Sequence, residues 1–209
     1  MKKHAFGRAF LQDAARNILV QKAACYGTIY AHGRNLCPRA PAAEGFGVWE
    51  REMEEMIKIL FVCHGNICRS PMAEFYMKDL VERSGRADAC SIASAATSAE
   101  EIGNPVYPPA RRELARHGIG CAGKTARRLE AADYLHWDYL VGMDEANLRN
   151  MRRLFGDDPE GKCLRLLDLT DDPRDVADPW YTGDFDQTYR DVEKGCRALL
   201  ARLKARGEI

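Results

Sequence analysis

Cys63 ends an apolar run, Arg69 and Ser70 stand six and seven residues further on, and Pro71 then opens a helical pattern. Ile57, Ile59, Leu60, Phe61 and Val62 predict a buried parallel strand leading into the loop. After the loop, Ser70 suits an N-cap and Pro71 an N1 position. A loop that ends on a helix N-terminus presents unpaired backbone N–H groups with partial positive charge. Gly65 and Asn66 tolerate the unusual backbone angles needed to wrap those donors around a phosphate dianion. Arg69 adds a planar, two-pronged donor for two phosphate oxygens. A thiol in such a field is favoured as thiolate, which makes Cys63 a candidate nucleophile for phosphorus. Ser70 is placed to donate a hydrogen bond to that sulfur when it departs.

A thiolate that attacks a phosphate monoester expels an oxygen anion, so an acid must approach the loop to protonate it. Asp178, directly before Pro179, sits in a polar connection ahead of the last helix. Asp-Pro is also a common turn opener, and Asp171, Asp172, Asp175 and Asp184 lie in the same stretch. Residue types alone do not choose among them. Trp180 and Tyr181 follow at once and offer apolar area for an aromatic ring, or simply pack the connection onto the body. Read alone, Ser94 is a strand-end serine and His117 a helix-end histidine.

Short apolar runs alternate with helical stretches from Ile57 onward, the pattern of a parallel sheet with helices on both faces. Strands are expected at 57–62, near 89–94, at 138–142 and at 163–168, and helices at 70–84, 108–117, 145–155 and 185–204. Ligands of such α/β sheets bind beyond the carboxyl ends of the strands, where Cys63 stands.

The run Cys63-His64-Gly65-Asn66-Ile67-Cys68-Arg69-Ser70-Pro71 resembles the signature loop of the low-molecular-weight protein tyrosine phosphatases. The likeness continues, in the family's order, through Ser91–Ser98, Ile102–Pro105, Arg116–Ile119, Met143–Leu148 and Asp178–Tyr181, and covers roughly residues 57 to 204. It implies a small four-stranded parallel sheet flanked by helices, with the phosphate loop after the first strand. The expected activity is hydrolysis of phosphotyrosine in proteins through a phosphocysteine, with no cofactor and no metal. The resemblance assigns Asp178 as general acid and then base, and Trp180 and Tyr181 as aromatic contacts to the substrate. It places His64, Gly65, Asn66, Ile67, Cys68 and Ser70 around the phosphate, and joins Ser94 and His117 to Asn66 in a network that holds the loop. It also implies a reversible disulfide between Cys68 and Cys63. His64 departs from a position usually apolar in the family, Glu100 stands where an aromatic is frequent at the rim, and Trp180 replaces Tyr or Phe.

The 209 residues carry 31 Lys and Arg against 31 Asp and Glu, so bulk charge does not point to nucleic acid. No stretch has the apolar length of a membrane span. Eight cysteines without a dense framework or a Cys-x-x-Cys pair fit a reducing cytoplasm better than a disulfide scaffold or a zinc site. The expected assembly is a monomer or weak dimer. Residues 1–55 read as an extension to a phosphatase domain at 56–209. Within residues 1–43, seven Lys and Arg face Asp13 alone. Ala5–Ala24 has a weak helical pattern, and Gly27–Gly47 reads as irregular. An upstream start with Met53 or Met56 as the natural beginning is favoured over a targeting peptide or an accessory arm.

Three further reaction classes fit less well. Arsenate reductases of this fold need two more cysteines close together, whereas Cys90, Cys121, Cys163 and Cys196 are far apart. Protein-arginine phosphatases carry Thr where this chain has Ile67. A metal-dependent phosphatase lacks a His/Asp cluster of ligand spacing. A non-catalytic phosphotyrosine reader would need neither the Cys63 nucleophile nor the Asp178 acid.

Overall fold

The computed structural model describes residues 56–209; the expectations for the preceding segment lie outside them. Four strands run parallel: β1 (Ile57–Cys63), β2 (Cys90–Ala96), β3 (Tyr139–Gly142) and β4 (Cys163–Arg165). Their order is β2-β1-β3-β4, so β1 is interior and its carboxyl end opens at the middle of the sheet. The register pairs Cys63 with Ala96 and Val62 with Gly142. Parallel strands covered on both faces read as continuous apolar runs, and Ile59, Leu60, Phe61 and Val62 are all fully buried.

Alternation along β1 divides the core. Ile59 and Phe61 face one side with Met72, Tyr76, Leu114, Val192 and Leu199; Leu60 and Val62 face the other with Tyr134, Trp137, Leu148 and Met151. The first side is covered by α1 (Arg69–Arg83), α2 (Pro108–Arg116) and α6 (Phe185–Ala205), the second by α3 (Asp133–His136) and α4 (Glu145–Leu154). A short helix, α5 (Pro179–Thr182), precedes α6. The long α6 comes close to the end of the sheet at Gly195, where a Cβ would stand 2.3 Å from Leu166 Cγ.

Several local expectations are corrected. The fourth strand stops at Arg165, and Leu166–Leu169 form a 3-10 turn, because the apolar residues there fill the helix side of the core and do not extend the ladder. Helix α1 begins at Arg69 with Cys68 at its N-cap and no side-chain cap. Ser70 is therefore inside the first turn, and its hydroxyl serves the loop instead of the helix end. The short helices α3 and α5 were not legible as helices, being too brief to show a period.

Candidate active site

The loop from Cys63 to Arg69 is held from outside by its carbonyls. Cys63 O accepts from Thr97 N at 2.9 Å, His64 O from Ser98 N at 2.9 Å, and Ile67 O from Tyr107 N at 2.9 Å. With its carbonyls turned outward, the N–H groups of His64, Gly65, Ile67 and Cys68 donate to no acceptor among the described residues. The Asn66 N–H points at Cys63 Sγ, 3.2 Å away. Such a nest of donors at the start of α1 is a site for an oxyanion.

Asn66 takes φ of 58°, a left-handed conformation that few side chains accept, and its amide explains how the turn is kept. Its Oδ1 accepts from Arg127 N at 3.1 Å, which fixes Nδ2 on the other side. Nδ2 donates to Ser94 Oγ at 2.7 Å and to Ser70 Oγ at 2.9 Å. The Ser94 hydroxyl in turn donates to Glu74 Oε2 at 2.5 Å. Ser70 Oγ, an acceptor from Asn66, lies 3.0 Å from Cys63 Sγ and is the donor to that sulfur when it is a thiolate. Glu74, a carboxylate that only accepts, fixes the direction of the Ser94 hydroxyl, and Arg127 N fixes that of the Asn66 amide. Glu74 is buried and is met by Lys124 Nζ at 3.1 Å and Lys78 Nζ at 2.5 Å. Burial pulls the Lys124 pKa down, and the Glu74 charge opposes that shift.

His117 stands apart from this network, contrary to the expectation for it. At the end of α2 its ring stacks on Tyr189, centroids 3.7 Å apart, and its Nε2 lies 3.2 Å from Glu113 Oε1. The polar position beside Ser94 belongs to Lys124, whose Nζ also reaches Ser94 O at 3.1 Å. Glu74 and Lys124 were not singled out from sequence. The available signal was an acid among Met72, Ala73, Tyr76 and Met77 on the buried face of α1.

Arg69 is only 4% exposed, and its guanidinium is divided between two acids. Nη1 donates to Asp144 Oδ2 at 2.7 Å and Nη2 to Asp178 Oδ2 at 2.6 Å. Burial works against its charge, but Cys63, Asp178 and Asp144 outweigh it and hold the pKa above the ordinary arginine value. Asp144 also caps α4 by accepting from Asn147 N at 2.6 Å, so the helix end and the guanidinium share one carboxylate. Asp178 caps α5, accepting from Trp180 N at 3.1 Å. Its turn-opening role and its place against Arg69 hold together.

A pocket of about 220 Å³ is lined by Cys63, Gly65, Ile67, Cys68 and Arg69 at its base, and by His64, Glu100, Glu101, Asp178, Trp180 and Tyr181 higher up. Of the five competing aspartates only Asp178 lines it. Asp175 pairs with Arg165, Asp171 with Lys194, Asp172 with Arg174, and Asp184 caps α6. Trp180 leans on Tyr107, centroids 5.4 Å apart, and is 57% exposed, while Tyr181 is 86% exposed. Both rings are therefore available to a ligand. His64 sits on the rim, its Nε2 3.1 Å from Glu100 Oε2, and does not enter the oxyanion nest by its side chain. Burial, with Cys63 and Asp178 nearby, pushes the Cys68 thiol up to about 12.

A family model described as Low molecular weight phosphotyrosine protein phosphatase matches residues 58–208. The chain belongs to this family. Low molecular weight protein-tyrosine-phosphatase YfkJ of Bacillus subtilis is 37% identical over 156 residues, spanning 74% of this chain and 100% of the relative. Its crystal structure superposes with a TM-score of 0.71 over 73% of this chain and 97% of that one, at 38% identity. The human low molecular weight phosphotyrosine protein phosphatase is 37% identical over 149 residues, 69% of this chain and 94% of the relative. The structure of DARP, a drosophila arginine phosphatase, matches with a TM-score of 0.65 and 27% identity over 71% of this chain and 98% of that one. The four-stranded parallel sheet with helices around it thus matches the fold of these two solved structures. No helix among the described residues is long and apolar enough to cross a membrane.

Proposed function

We propose that the chain is a protein-tyrosine phosphatase that hydrolyses phosphotyrosine and other aryl phosphate monoesters through a phosphocysteine. The observation that carries the reading is the meeting of Cys63, Arg69 and Asp178, from β1, α1 and the segment before α5, around one pocket. The phosphate dianion enters the N–H nest and takes Nη2 of Arg69, displacing the Asp178 carboxylate toward the leaving oxygen, while Asp144 keeps Nη1 in place. The Cys63 thiolate then attacks phosphorus. As the S–P bond forms and the P–O bond breaks, protonated Asp178 gives its proton to the departing phenolic oxygen. In the second step Asp178 takes a proton from water, the water oxygen attacks phosphorus, and the S–P bond breaks. The thiolate that leaves accepts a hydrogen bond from the Ser70 hydroxyl, which Asn66 Nδ2 holds beside it.

Ile67 at the base and the exposed rings of Trp180 and Tyr181 above it favour an aryl ester over a phosphoguanidinium. The test is kcat/KM on matched peptides bearing phosphotyrosine, phosphoserine and phosphoarginine. A preference for phosphotyrosine on the order of a hundredfold is expected, since burying the phenyl ring supplies a few kcal/mol that the others lack. Preference for phosphoarginine would move the chain to the arginine-phosphatase reading.

The same proposal includes redox control and a reducing compartment such as the cytoplasm. Cys63 and Cys68 both line the pocket, and the six cysteines among the described residues are all free. Mild peroxide should inactivate the enzyme reversibly with a Cys63–Cys68 disulfide, and Cys68→Ser should recover far less after oxidation. Full recovery of Cys68→Ser would leave Cys68 as a packing residue.

A further inference from the structure

Ala177, the residue directly before Asp178, is gripped at both its peptide groups by α6. Its N–H donates to Asp191 Oδ2 at 3.3 Å, and the Thr188 hydroxyl reaches its C=O at 3.0 Å. Asp191 is 2% exposed, and Thr188 is fully buried. The Asp191 carboxylate also receives a two-pronged contact from Arg174, Nη1 to Oδ2 at 2.8 Å and Nη2 to Oδ1 at 2.6 Å, and a third donor, Gln187 Nε2, at 2.8 Å. Arg174 belongs to the same arm as Asp178 and is braced there by Asp172 through its Nε at 2.8 Å. One buried carboxylate on α6 therefore gathers the arm's guanidinium and the N–H of Ala177, the residue before Asp178. No step of the proposed reaction uses it.

The other polar ties of the arm lie before Ala177, and beyond Asp178 the Trp180 ring leans on Tyr107. Asp175 Oδ1 meets Arg165 Nη1 at 2.6 Å and Glu145 N at 3.1 Å, and Val176 N donates to Met143 O at 2.9 Å. Asp178 itself touches the body of the domain through Arg69; its second oxygen accepts from Trp180 N, in its own turn. The Arg69 contact is the one a phosphate displaces. Once it is gone, Asp178 is held on one side by its own cap to Trp180 N and on the other by Ala177, whose N–H is bound by Asp191 and whose C=O is bound by Thr188.

We infer that Asp191 is a positioning residue for the proton donor: together with Arg174 it fixes where Asp178 stands after Arg69 has turned to the substrate. The inference rests on the proposed role of Asp178 as general acid. A misplaced acid slows only the substrates that need a proton, so the signature is a loss graded by leaving group. An isosteric Asp191→Asn keeps an acceptor but loses the charge that holds Arg174.

The test is kcat/KM, which reports the step in which the leaving group departs, for wild type, Asp191→Asn, Arg174→Gln and Asp178→Asn on phenyl phosphate and dinitrophenyl phosphate. Asp191→Asn is expected to lose on the order of tenfold to a hundredfold on phenyl phosphate, the scale of an ångström's misplacement, and only about threefold or less on dinitrophenyl phosphate. Arg174→Gln, whose side chain is partly exposed, should show the same gradation more weakly, and it carries the test if Asp191→Asn does not fold. Inhibition by inorganic phosphate and alkylation of Cys63 should match wild type, and Asp191→Glu should recover part of the loss. In the double variant Asp178→Asn/Asp191→Asn the second change should add little on phenyl phosphate. Equal losses on both esters, no loss, or additive losses in the double variant overturn the positioning role. Asp178→Asn separates the two failures: if it shows no gradation, the acid assignment falls and the inference with it. If Asp178→Asn is graded while neither Asp191→Asn nor Arg174→Gln is, the positioning role alone is overturned.

Discussion

Residues 63–69 and residues 170–178 meet at the same pocket, yet they are held there in different ways. The first segment is contiguous: a buried strand aims it, a helix N-terminus completes it, and Asn66 and Ser70 bond back to Cys63, while Thr97, Ser98 and Tyr107 hold its carbonyls from outside. The second has no strand or regular helix before α5 and is placed by remote anchors, Arg165 at the end of β4 and Asp191 and Thr188 on α6. A contiguous motif can bind an anion wherever it folds. The proton donor depends on how α6 sits against the sheet, so binding and proton transfer should separate under mutation.

The largest separation is expected at the loop's reacting atom. Cys63→Ser should abolish aryl phosphate hydrolysis while inorganic phosphate still binds, because the N–H nest and Arg69 remain; steady-state turnover with phosphate titration by calorimetry checks both. Arg69→Lys should be nearly as damaging to turnover, since an ammonium cannot reproduce the planar fork between phosphate and Asp144. At the arm, Asp178→Asn should slow phenyl phosphate by on the order of a hundredfold to ten-thousandfold and nitrophenyl phosphate far less, as read from kcat/KM against leaving-group pKa. Equal losses would point to an anchoring role for Asp178 instead of proton transfer.

Smaller effects sharpen the contrast. Ser94→Ala removes the link between Glu74 and Asn66 and leaves a buried carboxylate short of a donor. It should cost about 1–3 kcal/mol of stability by denaturant titration and lower turnover on good and poor leaving groups alike. Asp191 gives the arm a pH signature. Burial, which disfavours its charge, is outweighed by bonds from Arg174, Ala177 N–H and Gln187, so its folded pKa lies below the ordinary value. A depressed folded pKa means that this contribution is fully present above the ordinary carboxylate pKa of about 4 and fades as pH falls through the folded value. Thermal melts from pH 6 down to about 3 should show wild type losing more stability than Asp191→Asn. Gly195→Ala, by contrast, should destabilise by about 1–3 kcal/mol at every pH, because its Cβ would strike Leu166.

The two regions also differ in what the chain alone discloses. Cys63, Asn66, Arg69 and Ser70 lie within eight residues, so their chemistry could be read from spacing, and the apolar run of β1 fixed the strand before them. Asp178 could be named only through the family likeness, since five aspartates compete and its partner Arg69 lies 109 residues away in the chain. Glu74, Lys124, Asp144 and Asp191 carry no local mark of their task. Each acquires it from a neighbour that the fold brings in: Ser94, Glu74, Arg69 and Arg174 respectively. His117 shows the converse, a plausible polar residue that the packing of α2 on α6 turns toward Tyr189. The fourth strand erred for a similar reason: an apolar run records burial, and Leu166 and Leu167 are buried in a 3-10 turn.

The most direct test of the account is chemical identification of the covalent intermediate. Rapid acid quench during turnover of an aryl phosphate, followed by peptide mapping under conditions that preserve phosphothioesters, should place a phosphoryl group on Cys63. The adduct should form at a rate consistent with product release and be absent in Cys63→Ser. A phosphoryl group on another residue, or full turnover with no adduct and a normal rate in Cys63→Ser, would contradict it.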